Sequence, residues 1–314
     1  MNWIPNLPQA VENCILIVCA ILMATTLVVR VLVEVKPKLD LGEIPSRLRS
    51  WWIITVLVSL ALVLGRPYLV FFFALVSYLA LKEFYSIIPT RRVDRRVLFW
   101  AYLSIPVQYL WIEMEWYGMF IVFIPVYLFL FLPLRMVLIG KPAGFLNAAG
   151  TMNWALMTSV FCISHIAYLA VLPANVNPSG GAGLILYLLI LTEGNDVAQF
   201  FWGKTLGRTP ISPTVSPNKT LAGFLGGVLT TVGLAWFLAP YLTPFDNTKH
   251  ILISGVIIGF SGYIGDIVMS AFKRDLGIKD TGSTLPGHGG VLDRIDSLTY
   301  TAPLFFHYTY YLYY

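Results

Sequence analysis

Residues 270–296 read SAFKRDLGIKDTGSTLPGHGGVLDRID, crowding lysine, arginine, aspartate and glycine into one stretch of a chain that is only 12% charged. The apolar run before it carries a further carboxylate, Asp266. Asp266, Ser270 and Lys273 are spaced i, i+4, i+7 and so share one face of a helix. Asp293 and Asp296 stand about one helical turn apart, beyond the glycine-rich turn LPGHGG. Two carboxylates joined by a third from a neighbouring helix make an oxygen-ligand set suited to Mg²⁺. Lys273, Arg274, Lys279 and Arg294 supply cations for phosphate oxygens. His288, in the glycine turn, reads as a hydrogen-bond donor to phosphate or ribose ahead of a metal ligand or an acid/base, because a lone histidine is a weak metal signature.

A second cluster runs from Thr192 to Thr220. Glu193, Asp196 and Gln199 fall three residues apart on one helix face. Acids inside a span must face other protein or water. They read either as a hydrogen-bonded knot between helices or as the wall of a wet pocket. The loop beyond offers Gly203, Lys204, Gly207 and Arg208, then Ser216-Pro217-Asn218-Lys219-Thr220. Small residues let backbone N–H groups approach an anion, and Lys219 near a helix start adds charge to the helix dipole. The sequence G-x-x-x-x-G-K-[ST] does not occur here, so this is not a P-loop. Carboxylates for a metal and cations for phosphates, beside apolar walls, suit a polyphosphate and a lipid with a phosphate or hydroxyl head. The implied chemistry is phosphoryl or nucleotidyl transfer with metal assistance.

The elements that must hold these groups are membrane helices. The chain has 314 residues, is 57% hydrophobic and has a mean hydropathy of +0.74. Apolar runs of spanning length recur from end to end, which predicts an all-α polytopic membrane protein of about nine or ten transmembrane helices. They are placed at roughly 11–33, 51–64, 67–81, 97–112, 117–134, 148–172, 184–202, 221–239, 251–272 and 298–314. The second and third are short and joined by Gly65-Arg66-Pro67, which suggests a tilted hairpin in place of two full spans. Nineteen of the 21 Lys and Arg fall in segments 30–50, 82–96, 135–141, 204–219 and 273–294, while the alternate loops hold Arg66 and Lys249. By the positive-inside bias both termini face outward, and the basic loops, with the active site, face the cytoplasm. The first half, to about residue 147, reads as scaffold. No soluble basic domain or aromatic platform suggests nucleic acid as a partner. Cys14, Cys19 and Cys162 lie at no metal-like spacing and imply no disulfide framework. Met1–Glu12 lacks Lys and Arg and the run after it is long enough to span, so it reads as a span instead of a cleaved signal. His165 reads as a packed helix contact; His250 and His307 show no partners.

With these residues in place, the chain resembles the phosphatidate cytidylyltransferase (CDP-diacylglycerol synthase) family, as a divergent branch. The family signature is carried by Ser270, Lys273, Arg274, Lys279, Asp280, His288, Gly289, Gly290, Asp293, Arg294 and Asp296, with no break in spacing. SPNKT at Ser216–Thr220, Gly226-Gly227, Asp196 and Gly265-Asp266 also fall where the family has counterparts. The likeness covers roughly 50–314 and implies an added transmembrane helix and basic loop at 1–47, then a cytidylyltransferase-like domain at 48–314 whose motif-bearing half is 184–297. Two positions depart: Ala222 and Met269 stand where the family commonly has Glu. These departures leave open a different lipid or nucleotide preference.

The resemblance implies that a phosphatidate oxygen attacks the α-phosphorus of CTP, giving CDP-diacylglycerol and pyrophosphate. It implies Mg²⁺ held mainly by Asp266 and Asp293 with support from Asp296 and Asp196, and allows a monovalent cation beside it. Asp266, Asp293, Asp296, Lys273 and Arg274 take catalytic roles. Ser216, Asn218, Lys219, Ser270, Lys279, Asp280, His288 and Arg294 take substrate-binding roles. Two alternatives stand beside this reading: a CTP-dependent polyprenol or lipid kinase-like enzyme attacking the γ-phosphorus, and an inactive membrane scaffold of the same family. A transporter is disfavoured because the acids cluster at one end of the spans. The expected location is a bacterial cytoplasmic membrane, and the sequence leaves a homodimer open.

Overall fold

We describe the fold from a computed structural model, which covers residues 7–35, 42, 44–89, 91–282, 284 and 289–314. The apolar runs fold as ten long helical segments: α1 (Gln9–Val35), α2 (Ile44–Leu64), α3 (Arg66–Ile87), α4 (Arg95–Glu113), α5 (Tyr117–Val137), α6 (Phe145–Leu169), α7 (Gly180–Leu206), α8 (Leu221–Leu242), α9 (Thr248–Asp275) and, after the short α10 (Leu292–Ile295), α11 (Leu298–Tyr313). Eight of them, all but α4 and α11 among the long segments, are long and apolar enough to cross a membrane. The protein is an all-α polytopic membrane protein.

The expected helices all form, but several ends move. A single non-helical residue, Gly65 at φ 91°, separates α2 from α3, and the proline after it sits in the first turn of α3, where its missing N–H has no cost. At 21 and 22 residues both helices are long and apolar enough to cross a membrane, so the short lengths expected from the sequence are corrected. Helix α3 runs to Ile87, past the expected end at 81, and this extension carries Glu83 into the protein. One element was not expected at all. Between α7 and α8 the chain folds into an antiparallel ribbon, β1 (Pro210–Ser212) with β2 (Ser216–Thr220), pairing Ser212 with Ser216. Thr220 then caps α8, its Oγ1 accepting from the Gly223 N–H at 3.2 Å.

Within the motif-bearing half, close helix packing rests on small residues, as expected where lipid supplies no hydrophobic drive between helices. A Cβ at Gly255 would lie 2.8 Å from Val232 Cα, and one at Gly259 would lie 3.1 Å from Val228 Cα, so α9 and α8 touch backbone to backbone. Asn195 of α7 locks the same junction. Its Nδ2 donates to the Gly259 carbonyl at 3.2 Å, and its Oδ1 accepts from Thr231 Oγ1 at 3.2 Å. Thr192 donates to Thr301 at 3.2 Å, tying α7 to α11. Thr192 and Asn195, on the neighbouring face of α7, thus make a helix-to-helix knot of their own beside Glu193, Asp196 and Gln199.

His165 is buried among Phe120, Phe161 and Phe306, with Nδ1 2.8 Å from the Phe161 carbonyl oxygen. His250 and His307 are not without partners: His250 Nδ1 lies 2.8 Å from the Tyr308 hydroxyl and His307 Nδ1 lies 3.5 Å from that of Tyr117. These contacts join residues 58 and 190 positions apart, which no local pattern reveals.

Candidate active site

The site begins at a glycine. A Cβ on Gly265 would lie 2.5 Å from the Asp296 carbonyl oxygen and 3.0 Å from Ser297 Cα, so α9 meets the turn before α11 backbone to backbone. The next residue, Asp266, is thereby carried alongside Asp296. Asp196 joins from α7, with its Oδ2 accepting from Ser297 Oγ at 2.9 Å. The ribbon supplies Lys219, whose ammonium pairs with Asp266 and donates to Gln199 Oε1 at 3.0 Å. Ser270 Oγ donates to the other Asp266 oxygen at 3.3 Å, as the i, i+4 spacing anticipates.

The charges in this cluster are close enough to act on one another. Burial, and then the nearby Asp266 and Asp196, push the Asp296 carboxyl up to about 8, against the pull of Lys273 and Arg294. Burial works against the charged form of Lys219, but Asp266 and Asp196 outweigh it and hold the ammonium above its ordinary value. Glu193 lies within electrostatic reach of Arg294 and Asp296. Asp196 Oδ1 is buried and has no hydrogen-bond partner.

Asp293 sits in a second, distinct group. Its Oδ1 accepts from Lys273 Nζ at 2.8 Å. Its Oδ2 accepts from the Thr281 N–H at 2.8 Å and the Gly290 N–H at 2.9 Å, and lies 2.9 Å from Thr281 Oγ1. Burial raises this carboxyl, yet Lys273 and the two N–H groups hold it below the usual aspartate value. Gly289 makes the tight turn possible at φ 76°, a backbone region that favours glycine. Facing the same turn is Glu83 of α3, which sequence reasoning missed. It accepts from the N–H groups of Val291 at 2.8 Å and Leu292 at 3.2 Å, and from the Thr281 hydroxyl. The only signal was an acid close behind an apolar run, easily assigned to a solvated loop once the helix is ended at 81.

The remaining expected residues surround these two groups. Arg274 is exposed and donates to the carbonyls of Val215 at 3.3 Å and Ile278 at 3.4 Å, tying the ribbon to the end of α9. Lys279, Asp280 and Asn218 are exposed, and Ser216 is half-buried on β2. Arg294 is half-buried with its Nε unpartnered. Lys204 and Arg208 are exposed beside the ribbon. His288 lies outside the described residues. Met269, where the resemblance leads one to expect an acid, is 1% exposed and packs in the apolar core. Ala222 is half-buried in the first turn of α8.

Among the described residues no three acidic, histidine or cysteine side chains form a ready-made metal cage. The donors nonetheless fit a hard cation in kind and charge. Asp196 has a buried, unpartnered oxygen, and burial, followed by the nearby Asp266 and Asp196, raises Asp296. Mg²⁺ is ordinarily held by one or two carboxylates together with substrate phosphates and water, so a closed protein cage is not required. On the far face of α9 from Asp266 lies an ≈ 820 Å³ cleft with an apolar wall of Ile88, Trp154, Val268, Phe272 and Leu276, and with Arg91 at its rim. It contains none of the site carboxylates.

The chain is similar to several known proteins. The chain is 45% identical over 297 residues to an uncharacterized protein, YnbB, of Escherichia coli (strain K12), covering 95% of this chain and 97% of that one. It is 32% identical over 154 residues to a phosphatidate cytidylyltransferase of Staphylococcus epidermidis and 35% identical over 155 residues to that of Staphylococcus aureus (strain COL). The two staphylococcal matches each span 48% of this chain and 59% of the relative. Residues 45–312 match the cytidylyltransferase family, a span that takes in α2 to α11 and both carboxylate groups. The chain belongs to the cytidylyltransferase family and is a membrane nucleotidyltransferase that uses CTP.

Proposed function

We propose that this protein transfers the cytidylyl group of CTP to phosphatidate, in a reaction that needs Mg²⁺, at the cytoplasmic face of a bacterial membrane. The observation that carries the reading is the meeting of Asp196, Asp266 and Asp296, from three separate elements, with Lys219 and Arg294 at one end of the spans. The likeness to the staphylococcal phosphatidate cytidylyltransferases supports the choice of acceptor. The basic loops at that end support the cytoplasmic assignment.

The bond changes are simple. A phosphatidate oxygen bonds to the α-phosphorus, the bond to the β-phosphate breaks, and pyrophosphate leaves with the electron pair. A phosphate monoester is already anionic near neutral pH, so no strong base is required. The protein must hold two anions together and in line. Lys219 and Lys273 are preset for this by the carboxylates that grip them, and Arg274 and Arg294 add charge at the rim. Mg²⁺, when bound, would be held by Asp196, Asp266 and Asp296 and would neutralise developing charge on phosphate oxygens. Asp293 has only Oδ1, shared with Lys273, to offer, since its Oδ2 is committed to the loop. The cleft on the other face of α9 suits acyl chains arriving sideways from the bilayer, which keeps the lipid head within one helix of the carboxylates.

The test is to give purified protein CTP, Mg²⁺ and vesicles containing phosphatidate or, separately, a polyprenol. Release of pyrophosphate with formation of a CDP-lipid is expected for phosphatidate alone. CDP release with the polyprenol, or turnover with another lipid phosphate but none with phosphatidate, would overturn the assignment.

A further inference from the structure

We infer that Glu83 is a positioning residue for the transfer reaction, acting from the scaffold half of the chain on the loop that carries Asp293, Arg294 and Asp296. Glu83 is buried on α3, and no cation among the described residues pairs with it. Its carboxylate instead takes the N–H groups of Val291 and Leu292 and the Thr281 hydroxyl. Helix α10 has no side-chain cap of its own, so Glu83 satisfies N–H groups that would otherwise be orphaned at its start.

The fit is built from both sides. A Cβ at Gly290 would overlap the Glu83 carboxylate, and one at Gly282 would lie 3.2 Å from it. The Thr281 hydroxyl reaches both Glu83 and Asp293 Oδ2. One chain of contacts therefore runs from α3 through Thr281 to Asp293 and on to Lys273. If α3 releases the loop, Asp293 loses its donors and Lys273 loses its fixed partner. Glu83 itself bonds to none of Asp196, Asp266 and Asp296, so its effect reaches them only through the loop. This inference rests on the place of that loop in CTP-dependent transfer and is independent of which lipid accepts the cytidylyl group.

The test uses the full-length protein and the variants E83A, E83Q, T281A and E83A/T281A, with turnover and trypsin cleavage both read. A released loop misplaces its reactive groups by on the order of 1 Å, so E83A should lower kcat by about 10²-fold. The double variant should fall no further than about threefold below E83A, because both residues act through one chain of contacts. Cleavage after half-buried Arg294 should appear in E83A without CTP or lipid present, a readout that stands whatever the acceptor. E83Q keeps one acceptor oxygen for the Val291 or Leu292 N–H; it should give an intermediate kcat, and it decides the matter should E83A fail to fold. Wild-type kcat in E83Q and E83A, losses in the double variant that multiply, or unchanged resistance after Arg294 would each overturn the inference.

Discussion

Replacing Gly265 with alanine tests whether the convergence of α9 with the 296–297 turn sets the rate. The added Cβ would lie 2.5 Å from the Asp296 carbonyl oxygen and 3.2 Å from that of Ser297, both backbone atoms that no side-chain rotation can move. Restoring an ordinary contact near 3.4 Å requires about 0.9 Å of separation between α9 and the turn. Asp266 moves with α9 while Asp296 moves with the turn, so the pair opens by a similar amount. Overpacking of this kind typically costs about 1–3 kcal/mol in stability. A misplacement of about 1 Å at reacting groups costs on the order of 10²-fold in rate. The expected result is therefore a fall of about 10² in kcat/KM for CTP, followed by pyrophosphate release, with the protein still folded. Gly233 is the control: a Cβ there meets nothing within 4 Å, so Gly233→Ala should leave turnover unchanged. A Gly265→Ala protein with wild-type kcat/KM would refute the claim that this helix contact positions the carboxylates.

Three further outcomes follow from the same geometry. Asp293→Asn must set its new amide donor against either the Lys273 ammonium or the N–H groups of Thr281 and Gly290; turnover should fall by about 10²–10⁴-fold, and near-normal turnover would count against its role. Lys219→Met removes the cation between Asp266 and Gln199 and should raise KM for CTP by roughly 10–100-fold, so an unchanged KM would remove Lys219 from the phosphate site. Asp296 has its folded carboxyl pushed up to about 8 from 3.8, so between those values the folded protein holds a proton that the unfolded chain releases. Its contribution is full below the lower value and is lost as pH rises through the upper one. Melting temperatures in EDTA should therefore fall as pH is raised across that window, and Asp296→Asn should flatten the decline; an equally steep profile in the variant would show that another group controls it.

Much of the architecture was legible from local chemistry. Apolar runs of spanning length fixed the long helices, because a bilayer admits few other structures. The shared face of Asp266 and Ser270 followed from helical periodicity and appears as a hydrogen bond. Spacing was also enough to suggest the family that residues 45–312 match.

What spacing did not reveal is which acids remain open and which are consumed in holding the fold. Asp293 and Asp296 lie three residues apart, yet one accepts hydrogen bonds from two loop N–H groups and Lys273 while the other is buried beside Asp266 and Asp196. Asn195 and Asp196 are adjacent, yet the first locks three helices and the second turns an unpartnered oxygen into the site. Glu83 showed only as an acid close behind an apolar run, because its donors come from residues about two hundred positions away. The sequence by itself determined the kinds of groups present, their helical faces and the end of the spans where they gather. The tertiary structure alone decided their partners, since a carboxylate's role depends on which N–H groups and cations the packed backbones bring within about 3 Å of it.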